Sequence, residues 1–347
     1  MLPTPSTSHV SYDRIYEPAE DSYLFLDTLS SASETAWLHS RFNPASASLS
    51  DDKANTTTST STSTARLTPT PIPTSKPTPL LVEIGPGSGV IIAFLTAHAG
   101  LIFGRDVLSL GVDVNPHACR AARTTVEKAL SEAKSTRGKQ TATRTPEKDS
   151  CGGGDGNTSP PLSSLYLASL TGDLATSLRP GEVDVLIFNP PYVPTDSVPD
   201  IERPGNSTPA PAPAPTPIPA PTPTPTPAAV DVNVDVSASV NGTTPPDVKA
   251  TRALTFEESS HLLALSYAGG VDGMQVTTRL LHELPRVLSP RGVAYILFCR
   301  GNKPEDVKGW IRDWDDGSGG RWSAETVGSS GKTAGWEKLE IVRIWRE

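Results

Sequence analysis

The chain has 347 residues, and its 38 acidic and 30 basic side chains give a formal net charge of -8. No run of Lys and Arg interrupts this acidic balance, so the sequence lacks the electrostatic signature of a protein that binds a phosphate backbone. The three cysteines are far apart and odd in number, which argues against a disulfide framework and against a CxxC zinc site. We therefore expect neither a nucleic-acid partner nor a metal site.

Low-complexity segments interrupt the chain. It contains 35 prolines, and the Pro-, Ser-, Thr- and Gly-rich segments are too poor in bulky apolar residues to offset the entropy lost on ordering. We predict such inserts at about 43–79, 135–161 and 199–246. Removing them leaves about 200 residues, the size of one domain, which we predict to span 10–347.

The segment from Met1 to Val10 lacks the basic and apolar blocks of a signal peptide, and no apolar run approaches the length of a membrane span. We expect a soluble protein of the cytoplasm, with the nucleus as a second compartment, and no membrane partner.

The first ordered block, roughly 12–39, predicts an amphipathic helix. Apolar residues recur at helical spacing between Tyr23 and Leu29, behind the acidic segment Glu17–Asp21, which is typical of a capped helix N-terminus.

Strands and helices then alternate. The apolar run Leu80–Ile84 ends in glycines, as buried parallel strands do, and a helical segment follows it. Asn115 and Pro116 fit the N-cap and first position of a later helix, which accounts for Asn115 without a further role. The predicted strands are 80–84, 108–114, 165–170, 183–188, 293–299 and 339–345, and the later predicted helices are 90–99, 117–133 and 280–288. This order predicts an α/β fold: a single Rossmann-like domain with a mostly parallel central sheet, flanked by helices and interrupted by disordered inserts.

A glycine-rich loop follows the first strand. Gly85, Gly87 and Gly89 alternate with other residues, so backbone amides can approach a ligand closely. The spacing is GxGxG instead of the GxGxxG of dinucleotide folds, which favours a nucleoside with an amino-acid tail over a pyrophosphate. Glycines at a strand-to-helix turn also serve packing, so the loop alone leaves both interpretations open.

Two acids follow later strands. Asp113 ends the second strand, where a carboxylate can accept hydrogen bonds from ribose hydroxyls. Asp173 follows the third strand and is suitably placed to accept from an exocyclic amine. A surface acid at Asp113 and a turn residue at Asp173 are the alternative interpretations.

The tetrad Asn189-Pro190-Pro191-Tyr192 directly follows the apolar strand 183–188. An amide or aromatic amine nitrogen is a poor nucleophile because its lone pair is delocalised, so an enzyme must hold both N–H groups and orient the nitrogen. The Asn189 side-chain oxygen and the Pro190 carbonyl supply two acceptors, and the prolines fix the backbone angles. Tyr192 can stack on the planar group. Away from a strand end, the same residues are typical of a turn.

Taken together, Glu83–Gly89, Asp113 and Asn189–Tyr192 resemble the HemK-like class I methyltransferases, which use S-adenosylmethionine. Three further segments narrow the resemblance to the catalytic subunits of eukaryotic release factor glutamine methyltransferases: Tyr16–Ser22, Ala268–Gly273 and Leu288–Gly292. The resemblance covers all four ordered blocks and none of the inserts. Relatives have short connections where this chain carries inserts, and we expect the insert after the tetrad to project away from the site.

The resemblance implies an activity and a set of site residues. The family methylates the glutamine of the Gly-Gly-Gln loop in the eukaryotic class-1 translation termination factor, as a heterodimer with a small zinc-binding activator that covers an apolar sheet edge. Asn189, Pro190 and Tyr192 are the implied catalytic residues, and Pro191 completes the implied glutamine site. With the glycine loop included, the predicted cofactor contacts are Ser22, Glu83, Gly85, Gly87, Gly89, Asp113, Asp173, Leu174 and Asn189.

Alternatives remain open at the same pocket. An adenine-N6 methyltransferase would present a similar N–H pair to Asn189 and Pro190, although the net charge and the lack of a basic channel count against it. A protein-lysine methyltransferase is a second alternative. A non-catalytic binding subunit is the third, and a degraded tetrad or a lost Asp113 would have been its signature.

Overall fold

The computed structural model describes residues 2–43, 77–142, 164–201, 255–315, 317, 320–331 and 338–347. Most of the three predicted inserts and Cys151 lie outside the described residues. The predicted domain span of 10–347 with its three inserts therefore stays a prediction. None of the helices in the described part is long and apolar enough to cross a membrane.

The described strands form one seven-stranded sheet in the order β3-β2-β1-β4-β5-β7-β6. Only β7 runs antiparallel to its neighbours β5 and β6, and the other pairs are parallel. The strands are β1 Leu80–Ile84, β2 Leu108–Asp113, β3 Leu165–Thr171, β4 Val183–Phe188, β5 Leu288–Cys299, β6 Trp322–Ser329 and β7 Leu339–Arg346. This mostly parallel sheet confirms the predicted α/β fold.

Helices cover both faces of the sheet. Successive strand residues point to opposite sides, and apolar residues on both sides pack against helices. In β1, Leu81 belongs to a core cluster with α1, α2 and α3, whereas Val82 belongs to a second cluster with α7 and α8. The helices are α1 Glu20–Leu29, α2 Ala32–Phe42, α3 Val90–Ala97, α4 Ala99–Ile102, α5 Pro116–Ala142, α6 Phe256–Tyr267, α7 Gln275–Val287 and α8 Pro304–Arg312.

The helix predicted near the N-terminus is confirmed, but the prediction that it is capped was wrong. Two helices form, and α1 begins after Ala19, which has no side-chain cap. Ser31 instead caps α2, since its hydroxyl accepts a hydrogen bond from the Glu34 amide at 3.3 Å.

The start of α5 was predicted correctly. The Asn115 side chain accepts a hydrogen bond from the His117 amide at 2.9 Å, and Pro116 is the first helical residue. The helix continues to Ala142, past the predicted end at 133 and into the segment predicted to be an insert.

The sheet places the site by its topology. The order reverses between β1 and β4, because the chain leaves β1 toward β2 on one side and returns to β4 on the other. In open α/β sheets, ligands bind at the carboxyl ends of the strands at such a switch point.

Candidate active site

A cavity opens at this switch point, at the carboxyl ends of β1, β2, β3 and β4. The N-terminal segment before α1 forms one wall, and α6 and α7 contribute another. All predicted site residues except Gly89 line the cavity, and the structure thus brings together Ser22, Glu83, Gly85, Gly87, Asp113, Asp173, Leu174, Asn189, Pro190, Pro191 and Tyr192. The individual binding roles of these residues stay predictions.

The glycine loop leaves open space in front of its backbone. Gly85 and Gly87 have φ angles of +62° and +53°, a conformation that residues with a Cβ rarely adopt. A Cβ at either position would meet no other protein atom within 4 Å. The space beside Gly85 and Gly87 is therefore open to a ligand, because no neighbouring element fills it.

Gly89 has a different environment, and its predicted contact with the cofactor stays a prediction. It does not line the cavity. A Cβ at Gly89 would lie 2.4 Å from the Cα of Ala122, so the missing side chain lets α3 and α5 approach each other. The third glycine of the motif therefore serves packing.

Glu83 is the last residue but one of β1 and is buried, with 1% of its surface exposed. Its Oε2 accepts a hydrogen bond of 2.8 Å from the amide of Ile92 in the first turn of α3. Burial raises the pKa of Glu83 well above its ordinary value, and the nearby charge of Asp113 adds to the effect.

Asp113 is held by two backbone amides. One carboxylate oxygen accepts from Gly87 at 3.2 Å and the other from Asn115 at 2.8 Å. Burial raises the pKa of Asp113 to about 6, against the lowering effect of these hydrogen bonds. Each oxygen keeps further lone pairs, so the group can also accept from the hydroxyls of a ribose.

Asn115 has a second role that we did not predict. Besides capping α5 it lines the cavity, and its Nδ2 donates to the Arg14 carbonyl at 2.8 Å. The N-terminal segment is thereby tied to the cavity wall.

Asp173 and Leu174 follow β3 and face the same cavity. The Arg279 guanidinium of α7 forms an ion pair with the Asp173 carboxylate. Leu174 is one of three non-glycine residues in the described part with a positive φ, at +50°, and its side chain is buried. A branched side chain in this conformation is uncommon and indicates a backbone held by its surroundings.

The tetrad lies where β4 ends and is clamped by the segment after α6. The Val193 amide donates to the Tyr267 carbonyl at 3.0 Å, and the Gly269 amide donates to the Val193 carbonyl at 2.9 Å. A Cβ at Gly273 would lie 2.1 Å from the Tyr192 carbonyl oxygen, so this contact requires glycine. The clamp explains why the Ala268–Gly273 segment accompanies the tetrad.

The Asn189 side chain interacts with the Asp21 carboxylate, and both residues line the cavity. The Oδ1 of Asn189 is buried and has no hydrogen-bond partner. A buried acceptor left unpaired costs about 1–3 kcal/mol, and such groups in native structures call for an explanation, which a donor supplied by a ligand would provide.

The sequence prediction gave no role to several lining residues. Asp21 and Tyr16 lie in the segment that carried the resemblance, so the signal was present but unassigned. The α6 residues Leu262 and Leu265 carried no such signal, because α6 follows an insert and was not predicted. Arg279 of α7 carried none either. Within the described ranges, no group of three or more His, Cys, Asp or Glu residues could hold a metal ion.

No family model matches the chain. Methyltransferase HEMK2 of Mus musculus is 24% identical over 313 residues, which cover 88% of this chain and 83% of the mouse protein. The human HEMK2 is 24% identical over 311 residues, with 88% and 82% covered. The chain is thus similar to the HEMK2 methyltransferases over most of its length. The eRF1 methyltransferase catalytic subunit mtq2 of Schizosaccharomyces pombe is 24% identical over 352 residues, covering 100% of this chain and 96% of the yeast protein.

A solved structure of a SAM-dependent methyltransferase from Aquifex aeolicus matches 77% of this chain and 81% of its own, with 10% identity and a TM-score of 0.30. The fold assignment rests instead on the strand order of the chain itself. These relatives and the cavity at the switch point identify the chain as a methyltransferase.

Proposed function

We propose that this HEMK2 homologue transfers a methyl group from S-adenosylmethionine to the N5 nitrogen of a glutamine side chain. The observation that carries the proposal is the unpaired, buried Oδ1 of Asn189 at the end of β4. This atom is an acceptor that awaits an N–H donor, and a primary amide supplies one.

The residues present fit S-adenosylmethionine. Gly85 and Gly87 leave open space beside their backbone, as the close approach of an amino-acid tail requires. Asp113 presents a buried carboxylate for a ribose, and Asp173 lies beyond it for an exocyclic amine. When bound, the cofactor supplies an electrophilic methyl group on a sulfonium.

The tetrad holds and orients the nucleophile. One amide N–H of the substrate donates to Asn189 Oδ1 and the other to the Pro190 carbonyl, so the nitrogen is fixed with one face toward the methyl donor. Tyr192 stacks on the planar amide. These residues would act by positioning the amide, whose nitrogen would lose one proton to solvent as it gains the methyl group.

The substrate proposed is the Gly-Gly-Gln loop of the eukaryotic class-1 termination factor, methylated in the cytoplasm with the nucleus as a second compartment. The name of the fission yeast relative, an eRF1 methyltransferase catalytic subunit that covers this whole chain, supports this choice. The words "catalytic subunit" in the same name support a role beside at least one other subunit, and we propose a heterodimer.

The proposed partner is a small zinc-binding activator on the β3 edge of the sheet. In the described residues β3 pairs with β2 alone. Leu165, Leu167 and Leu170 of this strand are exposed by 55%, 48% and 38%. An exposed apolar edge strand is a template for association with another chain, which supports a partner at this place.

The test is methyl transfer from labelled S-adenosylmethionine to recombinant termination factor, with the chain co-expressed with the activator. We expect label on the glutamine of the Gly-Gly-Gln loop. Asn189→Ala should lower kcat about 100-fold or more at saturating cofactor, as removal of a positioned hydrogen-bonding group does. Asn43→Ala is the matched control, because Asn43 lies outside the cavity lining.

Label on the glutamine that persists in Asn189→Ala would contradict the proposed role of the tetrad. Label on a lysine or on adenine in place of glutamine would transfer the activity to one of the alternative substrates. No label on any of them, with cofactor binding retained, would favour a binding subunit.

A further inference from the structure

We propose that Asn302 is a positioning residue of the active site, which holds the backbone of Tyr192, the last residue of the tetrad, against the end of strand β5. The catalytic consequence rests on the proposed glutamine methylation, whereas the backbone contact itself does not.

Asn302 follows the strand that lies beside the tetrad. Strand β5 pairs in parallel with β4, so both strands end at the same edge of the sheet. After β5 the chain turns through the short 3-10 helix Arg300–Asn302. Asn302 is 4% exposed and lies outside the cavity lining, so it can act on a ligand only through other residues.

The hydrogen bonds of Asn302 join three segments of the chain. Its Oδ1 accepts a hydrogen bond from the Cys299 amide at 2.8 Å. A backbone amide only donates, so this bond decides which end of the side chain is the oxygen. The Nδ2 group therefore faces two carbonyl oxygens and donates to that of Asp272 at 2.9 Å and to that of Tyr192 at 3.4 Å. One side chain thus links the end of β5 to the tetrad and to the segment that clamps it.

Both contacts act on the backbone of Tyr192. Gly273 lies directly against the Tyr192 carbonyl oxygen, where a Cβ would have no room. Its neighbour Asp272 has a φ of +58°, a conformation that a non-glycine residue keeps only where its surroundings hold it. The hydrogen bond from Asn302 to the Asp272 carbonyl is such a restraint. Without it, we expect the clamp and the Tyr192 backbone to shift together.

A shift at Tyr192 would reach the groups that hold the substrate. The Pro190 carbonyl and the Tyr192 ring are the proposed acceptor and stacking surface for the substrate amide, and both residues line the cavity. A misplacement of about 1 Å can lower a rate about 100-fold. Gly85, Gly87 and Asp113 follow or end other strands, so we expect cofactor binding to change little.

A simpler alternative is that Asn302 only stabilises the turn after β5. This alternative predicts that substitutions of Asn302 lower stability and leave kcat per folded molecule unchanged. Asn302→Asp is the first variant, because it keeps an oxygen for the Cys299 amide and replaces the donating NH₂ group by a second oxygen. Asn43→Asp is the matched control. The Nδ2 of Asn43 also donates to a backbone carbonyl, that of Phe103 at 2.8 Å, and Asn43 lies outside the cavity lining.

The contact is tested without any substrate by hydrogen exchange in the full chain, followed by mass spectrometry. The Val193 and Gly269 amides join the tetrad to the clamp through hydrogen bonds of 3.0 and 2.9 Å. We expect them to exchange at least about tenfold faster in Asn302→Asp than in the wild type. Asn43→Asp should match the wild type at both amides. Equal rates in Asn302→Asp and the wild type would overturn the proposal.

The catalytic consequence is tested by kinetics at saturating cofactor and a pH of about 8.5, well above the ordinary pKa of a carboxyl group. Asn302→Asp should lower kcat about 10- to 100-fold and change the Kd of S-adenosylmethionine by less than about twofold, because the residue acts through the tetrad on the substrate. Asn43→Asp should match the wild type in both. An unchanged kcat in Asn302→Asp, or an equal loss of cofactor affinity, would overturn the positioning role.

Asn302→Ala keeps the test decisive if Asn302→Asp folds poorly, because it removes the donors without adding a charge. We expect its kcat per folded molecule to fall about tenfold or more, with the folded fraction measured by circular dichroism. A wild-type value would contradict the proposal and leave the stabilising role alone. If the wild type labels no glutamine, the proposed function fails, while the exchange experiment still decides the contact.

Discussion

The affinity for the cofactor should depend on pH through the protonation of Asp113. Its pKa is raised to about 6 by burial, and its carboxylate form is the one that accepts hydrogen bonds from ribose. As the pH falls through 6 the group gains a proton, so affinity is present above this value and lost below it. We expect S-adenosylmethionine to bind about tenfold more weakly at pH 5 than at pH 7.5, since one pH unit below a pKa leaves about a tenth of the group ionised. Calorimetric titration at the two pH values measures this.

Asp113→Asn separates this carboxylate from the other acids of the cavity. The variant should bind the cofactor at least about tenfold more weakly at pH 7.5 and lose most of its pH dependence between 5 and 7.5. Glu83 and Asp21 account for any dependence that remains, because burial raises their pKa values as well. A wild type whose affinity stays constant down to pH 5 would contradict the assignment of Asp113 to the ribose.

At the scale of single residues, sequence located the groups that lie at strand ends. The carboxyl end of a parallel strand has a fixed place in the fold, so Glu83, Asp113 and Asn189 could be assigned to one cavity from their positions alone. The contact between Asp21 and Asn189 could not be predicted. It depends on how the segment before α1 crosses the sheet, and no local pattern encodes that path.

The element that carries the glycine loop should be sensitive at Gly89. An alanine there would have φ +79° and a Cβ 2.4 Å from the backbone of Ala122, so α3 and α5 would have to separate. We expect Gly89→Ala to lower the free energy of unfolding by about 2–4 kcal/mol, the combined cost of a positive φ and of overpacking. Chemical denaturation measures the change.

Gly309→Ala is the control for Gly89. Gly309 lies in α8, and a Cβ there would meet no other atom within 4 Å. This substitution should raise the free energy of unfolding by about 0.5–1 kcal/mol, because alanine favours a helix interior. Equal stabilities of Gly89→Ala and wild type would argue that α5 is displaced from the position described.

At the scale of elements, the sequence predicted the buried strands and the helix capped by Asn115, because each has a strong local signal. It did not predict β6 at the second edge of the sheet, where half of the residues are polar and most are at least partly exposed. Nor did it predict α6 and α8, which follow an insert and a short turn. The third glycine shows a different limit: the spacing indicated a ligand, and a long-range contact with Ala122 accounts for it instead.

At the scale of the whole molecule, a buried ion pair holds the N-terminal helices on the sheet. Arg343 of β7 donates to both carboxylate oxygens of Glu34 in α2, at 2.9 and 3.0 Å, and the Tyr295 hydroxyl of β5 donates to the same carboxylate. Both charged residues are buried, so neither could lose its partner without a large penalty. This anchor holds α1, with Asp21 in its first turn, near the carboxyl ends of the strands.

The β3 edge of the sheet is a second feature at this scale. A charge introduced there should weaken binding of the activator. Leu167 is 48% exposed on β3, where we place the activator. Leu167→Glu should weaken activator binding about tenfold or more, because a carboxylate buried at an apolar interface has no partner. Leu101→Glu is the matched control, since Leu101 is 61% exposed on α4 and away from β3. Co-purification and calorimetric titration with the activator decide between them: equal affinity of both variants would place the partner elsewhere, whereas loss in Leu167→Glu alone would place it on β3.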